Sequence, residues 1–250
     1  MFWYLWAFFL GLCFGSFANA CIYRWLTRES LLGRSHCPTC GHEIAWYDNI
    51  PLISFFLLKG KCRHCHTAIS LSYPAIELLM GLFFVAALYM YGMTALTLKL
   101  VVLFWLFTVA FVTDMRNMEI PDEIFFIGTA FGAISVFLGW TDWADALLGF
   151  AVPAIPLLLA TILIEFLIGF QGELLGGGDV KFLMGIGAVG GMGLSVMVLT
   201  VGAVLMSIMF FAVFVEDRLT EKHTYVPMMI GFYFAFVFMF LCGLLPLILI

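Results

Sequence analysis

VVLFWLFTVAFVTDMRNMEIPDEIFF, residues 101–126, runs through thirteen uncharged positions and then meets Asp114, Arg116, Glu119, Asp122 and Glu123 within ten. A helix needs ~20 predominantly apolar residues to cross ~30 Å of hydrocarbon, and the apolar part of this stretch approaches that length. It delivers a carboxylate, Asp114, to the place where the hydrocarbon ends. Reading it as a membrane helix closed by an acid decides how the rest of the chain is read.

The composition agrees. The chain has 250 residues, of which 64% are hydrophobic and only 11% charged. A water-soluble domain of this length could not cover its surface with so few charges, so the bilayer is the main solvent. The formal net charge of −5 is spread over short loops and carries no nucleic-acid footprint. The apolar segment from Phe2 to Tyr23 lacks a basic n-region and an A-x-A-like cleavage site, which makes it a retained helix rather than a cleaved signal. No period of 20–50 residues is evident.

The expected fold is an all-α polytopic membrane protein. Eight spans are predicted, at 2–23, 75–91, 97–114, 123–139, 144–168, 181–191, 194–215 and 226–250. The stretch 181–191 is short and glycine-rich, and reads either as a half-span or as continuous with its neighbour. Three regions follow: a first helix (1–23), a polar loop (24–74) and a membrane domain (75–250). Ten of the eleven basic residues fall on one face of this topology, Lys99 being the exception, so that face is cytoplasmic and both termini lie outside. The loop with Asp142 and Asp145 is outside as well, whereas Asp114 and Asp179 come out at the cytoplasmic edge.

The polar loop carries CPTC (Cys37, Cys40) and CRHC (Cys62, Cys65) with 21 residues between the pairs. Paired C-x2-C knuckles at about this separation suit tetrahedral thiolate coordination of zinc. Two disulfides are the alternative, at odds with a reducing cytoplasm. The loop has few apolar residues for a core of its own, and a structural metal would supply the missing folding energy. His36, His42, His64 and His66 crowd the same loop, so one histidine replacing a cysteine is a second possible ligand set. Cys13, Cys21 and Cys242 lie in apolar spans and read as small buried hydrophobes.

Asp179 follows three glycines in GGGDVK, residues 176–181. Ionisable groups at membrane depth are costly and are functional candidates by default. Two carboxylates brought close cannot both ionise and come to share a proton, the arrangement of an aspartic protease. Gly176, Gly177 and Gly178 would let an extended peptide approach the backbone beside Asp179. The alternative is that both aspartates are interfacial loop residues, or that Asp179 is a helix cap. Glu119, Asp122, Glu123 and Glu173 would hold a basic peptide at the cytoplasmic mouth, or else are solvated caps. Glu77 follows the polar loop closely, would sit about a turn into the second predicted span and needs a partner.

These residues together resemble the prepilin leader peptidases, the bifunctional peptidase/N-methyltransferases of type IV pilus and type II secretion systems. The likeness runs through GSFANACIYR (15–24), SHCPTCGHEIAWYDNIPLISFFLLKGKCRHCHTAISLSYPAIELL (35–79), TDMRNMEIPDE (113–123) and GGGDVKF (176–182). The resemblance implies a GxGD-type aspartic membrane protease with Asp114 and Asp179 as the catalytic pair. It implies prepilin or pseudopilin precursors with short basic leaders as substrates, and methylation of the new N-terminus from S-adenosylmethionine. It assigns the cysteine tetrad to the family's zinc motif but no residues to the methyl donor. Three positions depart from it. Arg24-Trp25-Leu26 lacks a following proline, Gly177 occupies the variable position of the glycine motif, and TYVPMMIGF (224–232) keeps only Pro227 of a longer proline-glycine stretch. A peptidase without methyl transfer and a non-catalytic zinc-loop scaffold are the competing readings.

Overall fold

The structure is a computed structural model describing residues 2–156, 159, 177–220, 227–245 and 249. The described residues are helical apart from loops and two isolated β-bridges. The helices are α1 (Phe2–Thr27), α2 (Ile53–Leu57), α3 (Ser72–Tyr91), α4 (Ala95–Asn117), α5 (Asp122–Phe137), α6 (Trp143–Ala151), α7 (Gly177–Thr220) and α8 (Met229–Leu241). Four are long and apolar enough to cross a membrane: α1, α3, α4 and the Gly177–Met209 part of α7. At 16, 9 and 13 residues, α5, α6 and α8 are shorter than the ~20 a full crossing takes. The predicted span 144–168 is described over 144–156 and at 159, and its remainder lies outside the described residues.

The chain divides into two compact units, Met1–Val109 and Ala110–Ile250. In the first, α1 packs on α3 through small residues. A Cβ on Gly11 would lie 2.7 Å from Gly81 Cα, and one on Gly15 would lie 2.6 Å from Glu77 Cα. Gly11 and Gly15 form a G-x-x-x-G pair, the spacing that lets membrane helices approach backbone to backbone. Aromatic residues add the α4 segment of this unit. Phe83 and Phe104 stack with centroids 3.7 Å apart, and the Trp105 indole N–H donates to Phe14 O at 3.3 Å. Away from these contacts α1 exposes Phe2, Trp3, Leu5, Trp6, Phe9 and Leu10. Water would not accept so continuous an apolar row, and lipid would.

In the second unit, α5 and α6 both pack on α7, and α7 on α8. A second G-x-x-x-G pair, Gly128 and Gly132 of α5, lies against Gly185 and Ala188 of α7, with built Cβ positions within 2.9 Å of their backbones. Gly149 of α6 meets Gly187 and Gly191 in the same way. Such close approach leaves room for nothing larger.

The predicted spans 181–191 and 194–215 form one helical run broken at Gly191, whose φ of 76° and ψ of −176° suit glycine. A Cβ on Gly187 would lie 2.4 Å from the hydroxyl of Ser195. Eight residues of straight helix would separate those positions by about 12 Å, so the chain folds back sharply here. Asp145 of α6 closes the turn: its Oδ1 accepts from the Met192 N–H at 3.0 Å, capping the start of the second arm. The Ser195 hydroxyl donates to Gly149 O and Gly191 O, each at 3.0 Å.

Candidate functional site

Asp114 stands in the last turn of α4 and Asp179 in the first turn of α7, and both are buried. Asp114 Oδ2 accepts the backbone N–H of Met229, the first residue of α8, at 2.9 Å. A helix N-terminus presents such unpaired donors, and here it fixes one carboxylate oxygen. Asp179 Oδ1 is buried and has no hydrogen-bond partner among the described residues. The two carboxylates lie close enough for the charge on one to act on the other. One acid is thus held by a backbone donor, while the other keeps a free oxygen beside it. An orphaned buried carboxylate oxygen is costly and asks for a proton, a water or a ligand.

The surroundings of Asp179 separate the glycines. Among the described residues, nothing lies within 4 Å of a Cβ built on Gly177, whereas one on Gly178 meets Ile120 at 3.1 Å. Open backbone of the kind expected for peptide approach is therefore present at Gly177, and Ile120 covers Gly178. Gly176 and Glu173 lie outside the described residues. Asp122 is exposed and pairs with Lys181 at 2.7 Å, tying the start of α5 to the turn that follows Asp179. Glu119 and Glu123 are exposed. Met229 contributes through its backbone alone, so no side-chain signal marked it in the sequence.

The cysteine tetrad assembles within the first unit. The four Sγ atoms of Cys37, Cys40, Cys62 and Cys65 lie within 4.8 Å of one another, and Cys37 and Cys65 are 3.8 Å apart. A tetrahedral zinc with bonds of about 2.3 Å has sulfur–sulfur edges of about 3.8 Å. No disulfide links the described cysteines, and no histidine joins the cluster. The Thr67 hydroxyl and N–H draw the Cys65 thiol down to about 6. Cys40 is pushed up to about 11; a donor at His42 pulls it down, but burial, the sulfurs of Cys37 and Cys65, and charge on Cys37 outweigh that donor. Four converging sulfurs suit a soft cation.

Its scaffold is a duplication, which corrects the expectation that no period of 20–50 residues recurs. Cys37 N–H bonds His42 O and Cys62 N–H bonds Thr67 O, both at 2.9 Å. Ile44 N–H bonds Ser35 O and Ile69 N–H bonds Gly60 O, both at 2.7 Å. The bridges His36–Glu43 and Lys61–Ala68 match too, as do the left-handed residues Gly41 and His66. Every pair is offset by the same number of residues. Only the two C-x2-C pairs and the closing isoleucines betray this in the sequence.

His42 and His64 lie against each other with centroids 3.4 Å apart and their rings tilted by 37°, and His36 faces Glu29 at 3.6 Å. Of the remaining cysteines, Cys21 is buried as expected, but Cys13 is half-buried and Cys242 exposed. Glu77 finds its partner in the Leu52 N–H, 2.8 Å from Oε2. Asp48 and Arg63 form a two-pronged pair at 2.6 and 2.7 Å, which holds the Asp48 carboxyl below its usual range.

Residues 9–91 match the family model of the bacterial peptidase A24 N-terminal domain, and residues 100–214 that of the type IV leader peptidase family. The chain is similar to the prepilin leader peptidase/N-methyltransferase of Myxococcus xanthus, 41% identical over 72% of this chain and 54% of that protein. It is similar to the protein of the same name from Vibrio cholerae, 36% identical over 72% and 74% of the two chains. For the one from Klebsiella pneumoniae the identity is 34%, over 74% of this chain and 85% of that one. No solved structure matches.

Proposed function

We propose that this chain, which belongs to the type IV leader peptidase family, cleaves the basic leader of prepilin or pseudopilin precursors and methylates the new N-terminus. The observation that carries the peptidase reading is the pair of buried acids, one fixed by the Met229 N–H and one with a free oxygen.

In this reading Asp114 and Asp179 are the catalytic residues. Two adjacent carboxylates share one proton. The ionised acid takes a proton from water, which attacks the scissile carbonyl. The protonated acid donates to the carbonyl oxygen and then helps protonate the leaving amine. The open backbone at Gly177 leaves room for the extended peptide, and the acids Asp122, Glu119 and Glu123 lie near the ends of α4 and α5 to receive the basic leader.

Cys37, Cys40, Cys62 and Cys65 hold a structural zinc, and their sulfur cluster fits that ion. When bound, S-adenosylmethionine supplies the methyl group. The chain is read as an inner-membrane protein of eight spans with the cysteine loop and both aspartates on the cytoplasmic side and both termini outside. The bias of basic residues supports this sidedness. The three regions 1–23, 24–74 and 75–250 then act as anchor, zinc-binding domain and peptidase domain. Membrane lipid surrounds the apolar rows, and the apolar helix of the precursor shares it.

The test is cleavage of a purified prepilin in liposomes by wild type, Asp114→Asn and Asp179→Asn, with mass spectrometry of the product N-terminus. Each substitution is expected to lower cleavage by about 10²–10⁴-fold, with the helical fold retained by circular dichroism. Cleavage at the wild-type rate by either folded variant would remove that aspartate from the mechanism.

A further inference from the structure

For a helix in water, α2 is built inside out. Its five residues, ISFFL, bury Ser54, whose hydroxyl donates to Tyr47 O and accepts the Ile50 N–H, each at 2.9 Å. Ile53, Phe56 and Leu57, at i, i+3 and i+4, share another face and are exposed. Phe56 is 72% exposed and Leu57 74%. Trp46 opens the single turn Trp46–Asn49, which the Ser54 bonds tie to α2, and it is 76% exposed. A polar side turned in and large apolar side chains turned out mark a surface that something other than water covers.

The level of α2 follows from Glu77. Its Oε2 accepts the N–H of Leu52, the residue before α2, at 2.8 Å. Glu77 stands five residues, or about 7.5 Å, inside α3. With 20 residues α3 is just long enough to cross ~30 Å of hydrocarbon. The start of α2 is therefore tied beside the turns by which α3 enters the membrane. Leu71, Leu78 and Leu82, at intervals of seven and four, are exposed in one row along α3. The apolar side of α2 lies level with the Leu71 end of that row.

Charge selects the kind of surface. From Asn49 to Ile76 the chain carries Lys59, Lys61 and Arg63 and no acid. Arg63 is spent on Asp48. Lys59 and Lys61 are exposed, and among the described residues neither has an ion-pair partner. They follow α2 directly, their N–H groups bonding Phe56 O and Leu58 O at 3.1 Å each. A second copy docking by the same face would set these like charges together. Anionic lipid instead attracts them, and tryptophan favours the headgroup level.

We propose that α2 and Trp46 dock on the surface of an anionic bilayer. Ile53, Phe56 and Leu57 reach the acyl-chain boundary, and Lys59 and Lys61 meet lipid phosphates, as in a helix lying in the membrane plane. The cysteine knuckles on either side of α2 are thereby held at the membrane instead of standing free in water.

The full chain in nanodiscs tests this, with a photoreactive diazirine lipid and peptide mass spectrometry. The discs contain phosphatidylcholine alone or with phosphatidylglycerol. Label is expected on the peptide spanning Trp46–Leu58, and more of it with phosphatidylglycerol. Phe56→Ser combined with Leu57→Ser should cut that label by about tenfold, with label on α1 and α3 and the circular dichroism unchanged. Lys59→Gln combined with Lys61→Gln should erase the difference between the two lipids. Wild-type label that is absent from Trp46–Leu58, or equal in both lipids, overturns the proposal, as does undiminished label in the folded serine variant. Should that variant fail to fold, photo-leucine incorporated throughout wild type decides. Leu57 cross-linked to lipid supports the docking, and Leu57 cross-linked to a second copy or to added prepilin overturns it.

Discussion

Replacing Gly149 by alanine adds one carbon at a close backbone-to-backbone contact in the second unit. That carbon would sit 2.3 Å from Gly187 O and 2.4 Å from the Gly191 carbonyl carbon, where ordinary contacts begin at 3.4 Å. Backbone lines both sides, so no side chain can rotate away. Relief requires α6 and the 177–190 arm to separate by about 1 Å, straining the Ser195 hydrogen bond to Gly149 O. Overpacking of this kind costs about 1–3 kcal/mol. The functional effect should be larger than the loss of stability suggests. Asp179 is carried on the same rigid arm, eight residues or about 12 Å from Gly187, and a 1 Å misplacement of a reacting group costs about 10²-fold in rate. The assay is prepilin cleavage in liposomes alongside thermal unfolding in detergent. Leu147→Ala is the control: the side chain is on the same helix, 59% exposed, and should change stability by less than about 0.5 kcal/mol. A lowered melting temperature with wild-type cleavage would refute the reasoning, because it would mean that the position of the arm does not set the position of Asp179. Unchanged stability would refute the contact itself.

Gly177→Ala asks the opposite question. Among the described residues nothing lies within 4 Å of the added carbon, so stability should hold or rise by up to about 1 kcal/mol, yet cleavage should fall if peptide approaches this backbone; unchanged kcat/KM would show that it does not. Stripping the metal with a chelator, or Cys62→Ser, should unfold the 24–74 region while leaving the helicity of the membrane segments, read by hydrogen exchange; protection that survives metal loss would mean that the knuckles hold without it. The Asp48–Arg63 pair should be pH-dependent. The folded-state value of Asp48 is depressed by the Arg63 hydrogen bonds, so its contribution is present above the unfolded carboxylate value of about 3.9 and is lost as pH falls through the lower folded value. Because Arg63 is half-exposed, that contribution is about 1 kcal/mol at most, and Asp48→Asn should remove it at pH 7 but not at pH 2; an equal effect at both would assign it to packing.

The route from sequence to site was uneven for physical reasons. Asp114 and Asp179 were legible because a charge in apolar sequence is costly and stands out without any fold. The cysteine tetrad was legible because metal geometry restricts ligand spacing. The duplication around it was not, since it resides in backbone hydrogen bonds such as Cys37 to His42 and Cys62 to Thr67, which many side-chain sequences support. Glu119, Asp122 and Glu123 group by nearness in sequence, and the fold joins Asp122 to Lys181 of a distant segment.

What the sequence by itself determined is the apolar, helical class, the cysteine tetrad and two acids set at the ends of apolar segments, because each depends on composition or local spacing. Tertiary structure alone decided which glycines are contact points, that the chain folds back at Gly191 under the cap of Asp145, that the Met229 N–H holds Asp114, and that Asp179 keeps a free oxygen. Those facts depend on which backbone atoms meet across distant segments, and a backbone donor or a missing side chain is the same in every sequence until the fold gives it a neighbour.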